Sequence, residues 1–228
     1  ECQEKFLLNI LITSAGGNGA GNQVAKSLQY VQDNKYSLFY ADHNPNNIQF
    51  TDGLVFDLPL VSDNNYLDEL FTLINNNQIN VIIPGSDKEI LFFAENIKIF
   101  KDNNILIPIN NLETINLCFD KSALNDKLIE LNYLPPKSIK FSLHQDLPII
   151  DWYPIVLKPS GGGGGSANVF IAQNQDELIY LTKYLNQAFK NEQFILQEYV
   201  GAYDSEFTVG ILHDLNGDFI DSIAMNRD

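Results

Sequence analysis

A lysine and a run of five glycines form the stretch of the sequence best suited to holding a ligand. Lys158 follows the apolar run 155–157. The glycine run comprises Gly161, Gly162, Gly163, Gly164 and Gly165, and Ser166 follows it directly. Glycine costs about 0.5–1 kcal/mol relative to alanine in an ordinary helix or strand, so five together indicate a linker or a backbone bent closely around something. The β-type runs on both sides predict a hairpin with a glycine-rich tip rather than a linker.

The chemistry of this hairpin suits a polyphosphate. A lysine, a hydroxyl group and exposed backbone N–H groups together supply donors for phosphate oxygens. The order of residues differs from that of a Walker loop, in which the lysine follows the glycines. Taken alone, the hairpin is therefore open to two interpretations, a nucleotide-binding loop and a plain flexible turn.

Strands and helices alternate along the first half of the chain. The apolar runs typical of buried strands are Phe6–Thr13, Tyr36–Ala41, Leu54–Phe56, Asn80–Ile83 and Ile105–Ile109. This alternation predicts an α/β fold with a doubly wound, Rossmann-like parallel sheet over residues 1–112. The second half, residues 113–228, is α+β and antiparallel in character. Its last predicted strands are Phe194–Val200, Glu206–Leu212 and Phe219–Met225, the final two joined by a turn at 214–218.

A second glycine-rich loop follows the first predicted strand. Ligands of doubly wound sheets bind at the carboxyl ends of the strands, so the candidates on the substrate side are Gly17, Asn18, Gly19, Ser86 and Asp87. The loop approaches the dinucleotide fingerprint Gly-x-Gly-x-x-Gly, but Asn22 stands where the last glycine belongs. Asp42 lies about 20 residues on, where a ribose-binding acid is expected. NAD(P) binding and a structural turn both stay open for the loop, as does simple helix capping for Ser86 and Asp87.

Composition limits the classes of function. The 228 residues carry a net charge of −15 without a basic patch, which argues against a nucleic-acid surface. No apolar run approaches the roughly 18 residues of a membrane span. Cys2 and Cys118 are too few for a disulfide framework, which favours the reduced cytoplasm. The three histidines lack the spacing of a zinc site, and no Ser–His–Asp or Cys–His constellation is visible.

The order of the parts resembles that of the ATP-grasp superfamily over nearly the whole chain. Lys121 comes first, then Lys158 with the glycine hairpin, then the segment 197–201 (QEYVG), then Glu206 and a β-hairpin. The nearest likeness is to the carbamoyl-phosphate synthase large subunit and related carboxylate–amine ligases. The resemblance implies a pre-ATP-grasp domain at 1–112 and the first part of an ATP-grasp domain at 113–228. A lid subdomain would span about residues 134–196.

The resemblance also implies a role in ATP binding for individual residues. Lys158 would contact the α- and β-phosphates, Lys121 would reach the phosphates from the other lobe, and Gly161–Ser166 would cover the β- and γ-phosphates. The adenine would be held by Gln197, Glu198, Tyr199 and Val200, with Glu198 and backbone groups reading its edge. Glu206 would bind the ribose, with Asp204 as the alternative, and Arg227 would lie near the transferred phosphate or the substrate. The simpler interpretation of Lys121, Glu198, Glu206 and Arg227 is that each is a solvated surface residue.

The implied chemistry is the activation of a small carboxylate by ATP as an acylphosphate, which an amine or ammonia then attacks. Mg²⁺ would bridge the β- and γ-phosphates, and the resemblance implies that its ligands lie beyond residue 228. We therefore expect an ATP-dependent ligase, and we expect these 228 residues alone to be inactive. The alternatives are an NAD(P)-dependent oxidoreductase that uses the loop Gly16–Gly21 and a non-catalytic nucleotide-binding module.

Overall fold

The computed structural model describes residues 7–31, 35–50, 52–142, 145–161, 168–189, 193–201 and 206–226. The chain divides into two compact units, Glu1–Asn116 and Leu117–Asp228. The assignment of a pre-ATP-grasp role and an ATP-grasp role to separate domains stays a prediction. In the described part of the chain, no helix has the length and apolar character needed to cross a bilayer.

The first unit is built on a four-stranded parallel sheet, as the alternation of strands and helices predicts. Its strands are β1 (Leu8–Ile12), β2 (Tyr36–Asp42), β3 (Leu54–Asp57) and β4 (Val81–Ile83), and their order across the sheet is β3-β2-β1-β4. The helices are α1 (Ala20–Val31), α2 (Tyr66–Asn77), α3 (Asp87–Glu95) and α4 (Ile97–Asp102), and α5 (Leu112–Phe119) runs across the boundary into the second unit. The chain order changes direction between β1 and β4, so the loops after these two strands lie side by side.

Both faces of the parallel sheet are covered. Successive side chains of a strand point to opposite faces, and β1 accordingly supplies Leu11 to one hydrophobic cluster and Ile10 and Ile12 to another. The first cluster includes Phe93 and Phe100, which are fully buried. Burial on both faces explains why Ile10, Leu11 and Ile12 form a continuous apolar run instead of an alternating one.

The predicted strand Ile105–Ile109 is reduced to a single bridging residue. Leu106 pairs with Val81, donating its N–H to the Asn80 carbonyl at 2.9 Å and accepting from the Ile82 N–H at 2.9 Å. Pro108 has no N–H to donate, which ends the ladder after this bridge. The apolar pattern alone therefore overestimates the strand.

The second unit contains an antiparallel sheet and a separate hairpin. The sheet has the order β5-β8-β6-β7 and comprises β5 (Ser138–Ser142), β6 (Ile155–Pro159), β7 (Phe170–Ala172) and β8 (Gln193–Glu198). Its helices are α6 (Lys121–Glu130) and α7 (Gln175–Ala188), and β9 (Phe207–His213) with β10 (Phe219–Asn226) forms the hairpin. The predicted antiparallel character, the pairing of β6 with β7 around the glycine run and the final hairpin are confirmed. The sequence did not predict β5.

The two faces of the antiparallel sheet differ in character. On one face Ile155, Leu157, Phe194 and Leu196 pack in a core with α7. On the opposite face the polar side chains of Gln197 and Ser138 pair with each other, and Val156 pairs with Gln197 from the other side. Lys158, two residues after Val156, lies on that same polar face. The alternation of side chains along each strand thus separates a hydrophobic core from the face that carries the candidate site.

Candidate functional site

Lys158 lies near the end of β6, three residues before the glycine run, and is half-buried. Its ammonium group donates a 2.7 Å hydrogen bond to Oε1 of Gln197 on β8. Burial lowers the pKa of Lys158 below its ordinary value of 10.5, and the positive charge of Lys121 lowers it further. The positive charges of the two lysines therefore repel each other, although the residues belong to different elements.

The glutamine that accepts from Lys158 is itself held by hydrogen bonds. Nε2 of Gln197 donates to Oγ of Ser138 on β5 at 2.9 Å, and Ser138 lies 3.2 Å from Oδ1 of Asn125 on α6. Asn125 is only 8% exposed, which is unusual for an amide side chain. The acceptor beside Lys158 is neutral, so this contact does not cancel the lysine charge.

The start of α6 is joined to the end of β6 at the base of the glycine run. Asp120 caps α6 by accepting from the N–H groups of Ser122 at 2.9 Å and Ala123 at 3.2 Å. Its carboxylate also accepts from the hydroxyl of Ser160 at 3.2 Å, and the Lys121 N–H donates to the Ser160 carbonyl at 3.0 Å. Gly161 continues this contact by bridging to Asp120. The glycine run therefore begins against the helix that carries Lys121.

Several donors stabilise the ionised form of Asp120. Burial on its own would raise the pKa of this carboxyl, but hydrogen bonds from Ala123, Ser122 and Ser160 and the charge of Lys140 outweigh burial and lower the pKa below 3.8. The ammonium of Lys140 lies 3.8 Å from the carboxylate. Asp120 is thus a carboxylate held in place by protein donors rather than a free acid.

The segment after Gln197 turns away from Lys158. Glu198 pairs opposite Ile155, on the other face of the sheet, and its carboxylate accepts from the Lys137 N–H at 3.2 Å. Tyr199 and Val200 are exposed, and the Tyr199 N–H donates to the Pro154 carbonyl at 3.1 Å. Glu206 is exposed directly before β9. The structure brings Gln197, and not Glu198, beside Lys158.

Comparison with known proteins identifies the architecture. Residues 10–108 match the family model described as the PylC-like N-terminal domain, while no curated protein is similar enough in sequence to count as a relative. Among solved structures, L-amino acid ligase from Bacillus licheniformis is 15% identical, with a TM-score of 0.64 over 90% of this chain and 47% of that one. D-alanine–D-alanine ligase from Bacillus anthracis, complexed with ATP, is 13% identical, with a TM-score of 0.55 over 98% and 71%.

A third structure carries a nucleotide, a metal and a small acid. It is the biotin carboxylase domain of 2-oxoglutarate carboxylase from Hydrogenobacter thermophilus, complexed with MgADP, ADP and bicarbonate. It is 18% identical, with a TM-score of 0.51 over 84% of this chain and 44% of that one. This chain has the ATP-grasp fold. The fold that the sequence resemblance implies is thereby confirmed, and the chain spans about half the length of the L-amino acid ligase.

Part of the predicted site lies outside the residues that the structure describes. The site residues outside the described part are Gly162, Gly163, Gly164, Gly165, Ser166, Asp204 and Arg227. Four residues that the sequence did not single out contribute to the described part, namely Asp120, Ser160, Ser138 and Asn125. A signal for the first was present, because an aspartate directly before a helix is a typical N-cap.

The predicted substrate-side candidates lie in the first unit, in the two loops at the switch point. Gly17, Asn18 and Gly19 connect β1 to α1, and Ser86 precedes α3, which begins at Asp87. Ser86 accepts from the Glu89 N–H and donates to the Glu89 carboxylate at 3.0 Å, which is a reciprocal helix cap. The buried Glu89 also accepts from the Tyr66 hydroxyl at 3.0 Å, and burial with the Glu89 charge raises the pKa of Tyr66. Ser86 therefore has a structural role in the first turn of α3.

Asp42, the candidate ribose acid of the alternative NAD(P) interpretation, is 7% exposed at the end of β2. One carboxylate oxygen accepts from the Gly16 N–H at 2.9 Å, and the other accepts from the Asn44 N–H at 2.9 Å. Nδ1 of His43 also lies 3.1 Å from this second oxygen. Both oxygens thus stabilise the turn after β1 and the turn after β2, which leaves the carboxylate poorly placed to bind ribose hydroxyls.

Proposed function

We propose that the protein is an ATP-dependent ligase, which phosphorylates a small carboxylate and transfers the acyl group to an amine or to ammonia. The observation that carries the proposal is the pair Lys121 and Lys158, supported at the base of a glycine run by one hydrogen-bonded framework. Two neighbouring cations suit a polyphosphate, and they offset locally the net charge of −15 that would otherwise repel such an anion.

The proposed reaction has two displacements. A carboxylate oxygen attacks the γ-phosphorus of ATP, and the electron pair of the broken P–O bond leaves with ADP. The amine nitrogen then attacks the carbonyl carbon of the acylphosphate, phosphate leaves, and the nitrogen loses a proton. Lys158 and Lys121 would hold the phosphates in line and offset their charge without forming a covalent bond.

Magnesium would neutralise further charge on the β- and γ-phosphates. In the described part of the chain, no group of three or more His, Cys, Asp or Glu residues is arranged to hold a metal ion, so we assign no magnesium ligand here. The solved complex with MgADP and bicarbonate supports the combination of nucleotide, metal and small acid on this fold.

The remaining roles are proposed as the sequence resemblance gives them. Gly161–Ser166 would donate backbone N–H groups to the β- and γ-phosphates, and Glu206 or Asp204 would bind the ribose. Gln197–Val200 would hold the adenine, and Arg227 would approach the transferred phosphate. Gly17, Asn18, Gly19, Ser86 and Asp87 would lie on the carboxylate side. We extend the proposal to a carbamoyl-phosphate synthase-like reaction in the cytoplasm, and we keep the expectation that these 228 residues are inactive alone.

The test is a thermal-shift titration of the full-length protein with Mg-ATP, NADH and NADPH. A ligand at 100 times its Kd stabilises a fold by about 2.7 kcal/mol, which is readily detected. We expect a shift with Mg-ATP that Lys158→Ala abolishes and Lys183→Ala preserves, because Lys183 is an exposed lysine of α7 in the same unit. Release of ADP that depends on both a carboxylate and an amine would distinguish a ligase from a non-catalytic binding module.

Two outcomes would count against the proposal. A thermal shift with NADH or NADPH alone would indicate that the ligand binds at the Gly16–Gly21 loop and would favour the oxidoreductase. Equal shifts with Mg-ATP for the protein with and without Lys158→Ala would remove the polyphosphate site from β6. The satisfied carboxylate of Asp42 supports the ligase over the oxidoreductase.

A further inference from the structure

A relay of hydrogen bonds connects Lys158 to α6 through three side chains. The ammonium of Lys158 donates to Oε1 of Gln197 at 2.7 Å, and Nε2 of Gln197 donates to Oγ of Ser138 at 2.9 Å. The Ser138 hydroxyl is 3.2 Å from Oδ1 of Asn125 and 3.0 Å from the carbonyl of Pro136, its two available acceptors. The relay thus crosses β6, β8 and β5 and ends on a helix.

The lysine at one end fixes the direction of the whole relay. An ammonium group only donates, so the atom of Gln197 that faces it must be the oxygen. The amide NH₂ then faces Ser138, whose oxygen accepts the hydrogen bond. The Ser138 hydroxyl in turn donates its single hydrogen bond to the Pro136 carbonyl or to Asn125. Each bond orients the next, and hydrogen bonds in such a series reinforce one another.

The far end of the relay lies on the helix that carries the second lysine. Asn125 follows Lys121 by four residues on α6, which places both on the same side of the helix, one turn apart. Asn125 is buried and therefore has a fixed position, whereas a lysine side chain is long and flexible unless a contact holds it. The relay therefore links the strand that carries Lys158 to the helix that carries Lys121.

We infer that Ser138 and Asn125 are positioning residues that hold the Lys158 ammonium at a fixed spacing from Lys121, and so favour nucleoside di- and triphosphates over monophosphates. The inference rests on the proposed nucleotide site. A ligand with adjacent phosphates can engage both lysines at once, and it gains most from a Lys158 side chain that is already ordered. A monophosphate engages one cation and gains less. Because Gln197 is neutral, the relay orders Lys158 without cancelling its charge.

The experiment is a calorimetric comparison of ATP, ADP, AMP and adenosine on the full-length protein and its variants. Ser138→Ala removes the acceptor that orients the Gln197 amide, and we expect about tenfold weaker binding of ATP and ADP, the size of one lost hydrogen bond. AMP should weaken by less than ATP and ADP, because it engages only one of the two cations, and adenosine should change by less than about twofold, because it has no phosphate. Ser138→Thr keeps the hydroxyl and should restore the wild-type ratio of ATP to AMP affinity.

Two further variants keep the inference falsifiable. Ser142→Ala removes a hydroxyl four residues on in β5 and should leave all four affinities unchanged. Gln197→Glu keeps an acceptor for Lys158 but adds a negative charge and loses the donor to Ser138, so ATP should weaken more than AMP even if Ser138→Ala misfolds. Equal weakening of all four ligands, or none, would overturn the positioning role. Failure of the wild-type protein to bind ATP and ADP would instead overturn the proposed function.

Discussion

The hydroxyl of Ser160 donates a 3.2 Å hydrogen bond to the carboxylate of Asp120, 40 residues earlier in the chain. Ser160 is almost fully buried and is the last residue before the glycine run. Asp120 at the same time caps the helix that begins with Lys121. Because the Lys121 N–H also donates to the Ser160 carbonyl, two separate hydrogen bonds hold these segments together. The supports of the two lysines are therefore one structural unit.

Asp120→Ala should lower the free energy of unfolding by about 0.5–2 kcal/mol, the usual cost of a lost N-cap, and should weaken ATP binding by loosening the start of the glycine run. Asp120→Asn should retain most of the stability, since asparagine caps helices as well as aspartate does. Urea unfolding at neutral pH measures both changes. Asp126→Ala, an exposed acid on the same helix, is the matched control and should have little effect.

The contribution of Asp120 should also depend on pH. The pKa of its carboxyl is lower in the fold than the ordinary 3.8, so its stabilisation is fully present above 3.8 and is lost as the pH falls through the lowered folded value. The difference in unfolding free energy between wild type and Asp120→Ala should therefore narrow as the pH is lowered below about 4. A difference that is independent of pH would mean that the charge of Asp120 is irrelevant to the cap.

The sequence is sufficient to predict the parallel sheet and both hairpins, but the partners of Lys158 depend on strand register. Apolar periodicity predicts the parallel sheet and both hairpins, because each is a local pattern with turn residues between. Gln197 and Glu198 are both polar neighbours at the end of β8, and only the pairing of Val156 with Gln197 decides which one faces Lys158. A shift of one residue would exchange them. That register joins residues 39 apart and is not encoded in either strand alone.

Ser138 escaped prediction for a related reason. It begins β5, a five-residue strand that closely follows Pro135 and Pro136, where a loop is the default expectation. The alternation of Ile139 and Phe141 with polar residues was the available signal, but it is too short to distinguish a strand from a loop. Long-range pairing with β8 makes this segment a strand, and the same pairing brings Ser138 to Gln197.

Binding of ATP should weaken at alkaline pH. Burial and the charge of Lys121 lower the pKa of Lys158 in the free protein, whereas a bound polyanion would stabilise the ammonium and raise that pKa again. Between the two values binding takes up a proton, so log Ka should fall as the pH rises, with a slope approaching about one proton. Titration from about pH 7.5 upward avoids the ionisation of the phosphates themselves, whose second pKa is near 6.

Lys158→Arg is the control for this pH dependence. Arginine keeps a cation and can donate to Gln197, but it does not titrate in this range. The variant should bind ATP with a different affinity but with a flatter pH profile. If wild type and Lys158→Arg lose affinity in parallel, the titrating group is not Lys158.

The glycines of the first unit should fall into two classes. A Cβ at Gly85 would overlap the Thr13 carbonyl oxygen and would lie 2.7 Å from Cα of Gly21, whereas the nearest atom to a Cβ at Gly19 is 3.8 Å away. Backbone atoms cannot move aside cheaply, so Gly85→Ala should lower the free energy of unfolding by about 1–3 kcal/mol or more. Gly19→Ala should fold with nearly wild-type stability in the same thermal or urea measurement.

This pair also separates packing from ligand binding in the loop after β1. If Gly19 lies on the carboxylate side as proposed, Gly19→Ala should raise the KM for the carboxylate while leaving both stability and the KM for ATP unchanged. Gly85→Ala should reduce the free energy of unfolding whether or not the loop binds a ligand, because the loops after β1 and β4 are in direct backbone contact there. A Gly19→Ala protein with unaltered kinetics would confine the loop to a structural turn and direct the search for the carboxylate elsewhere.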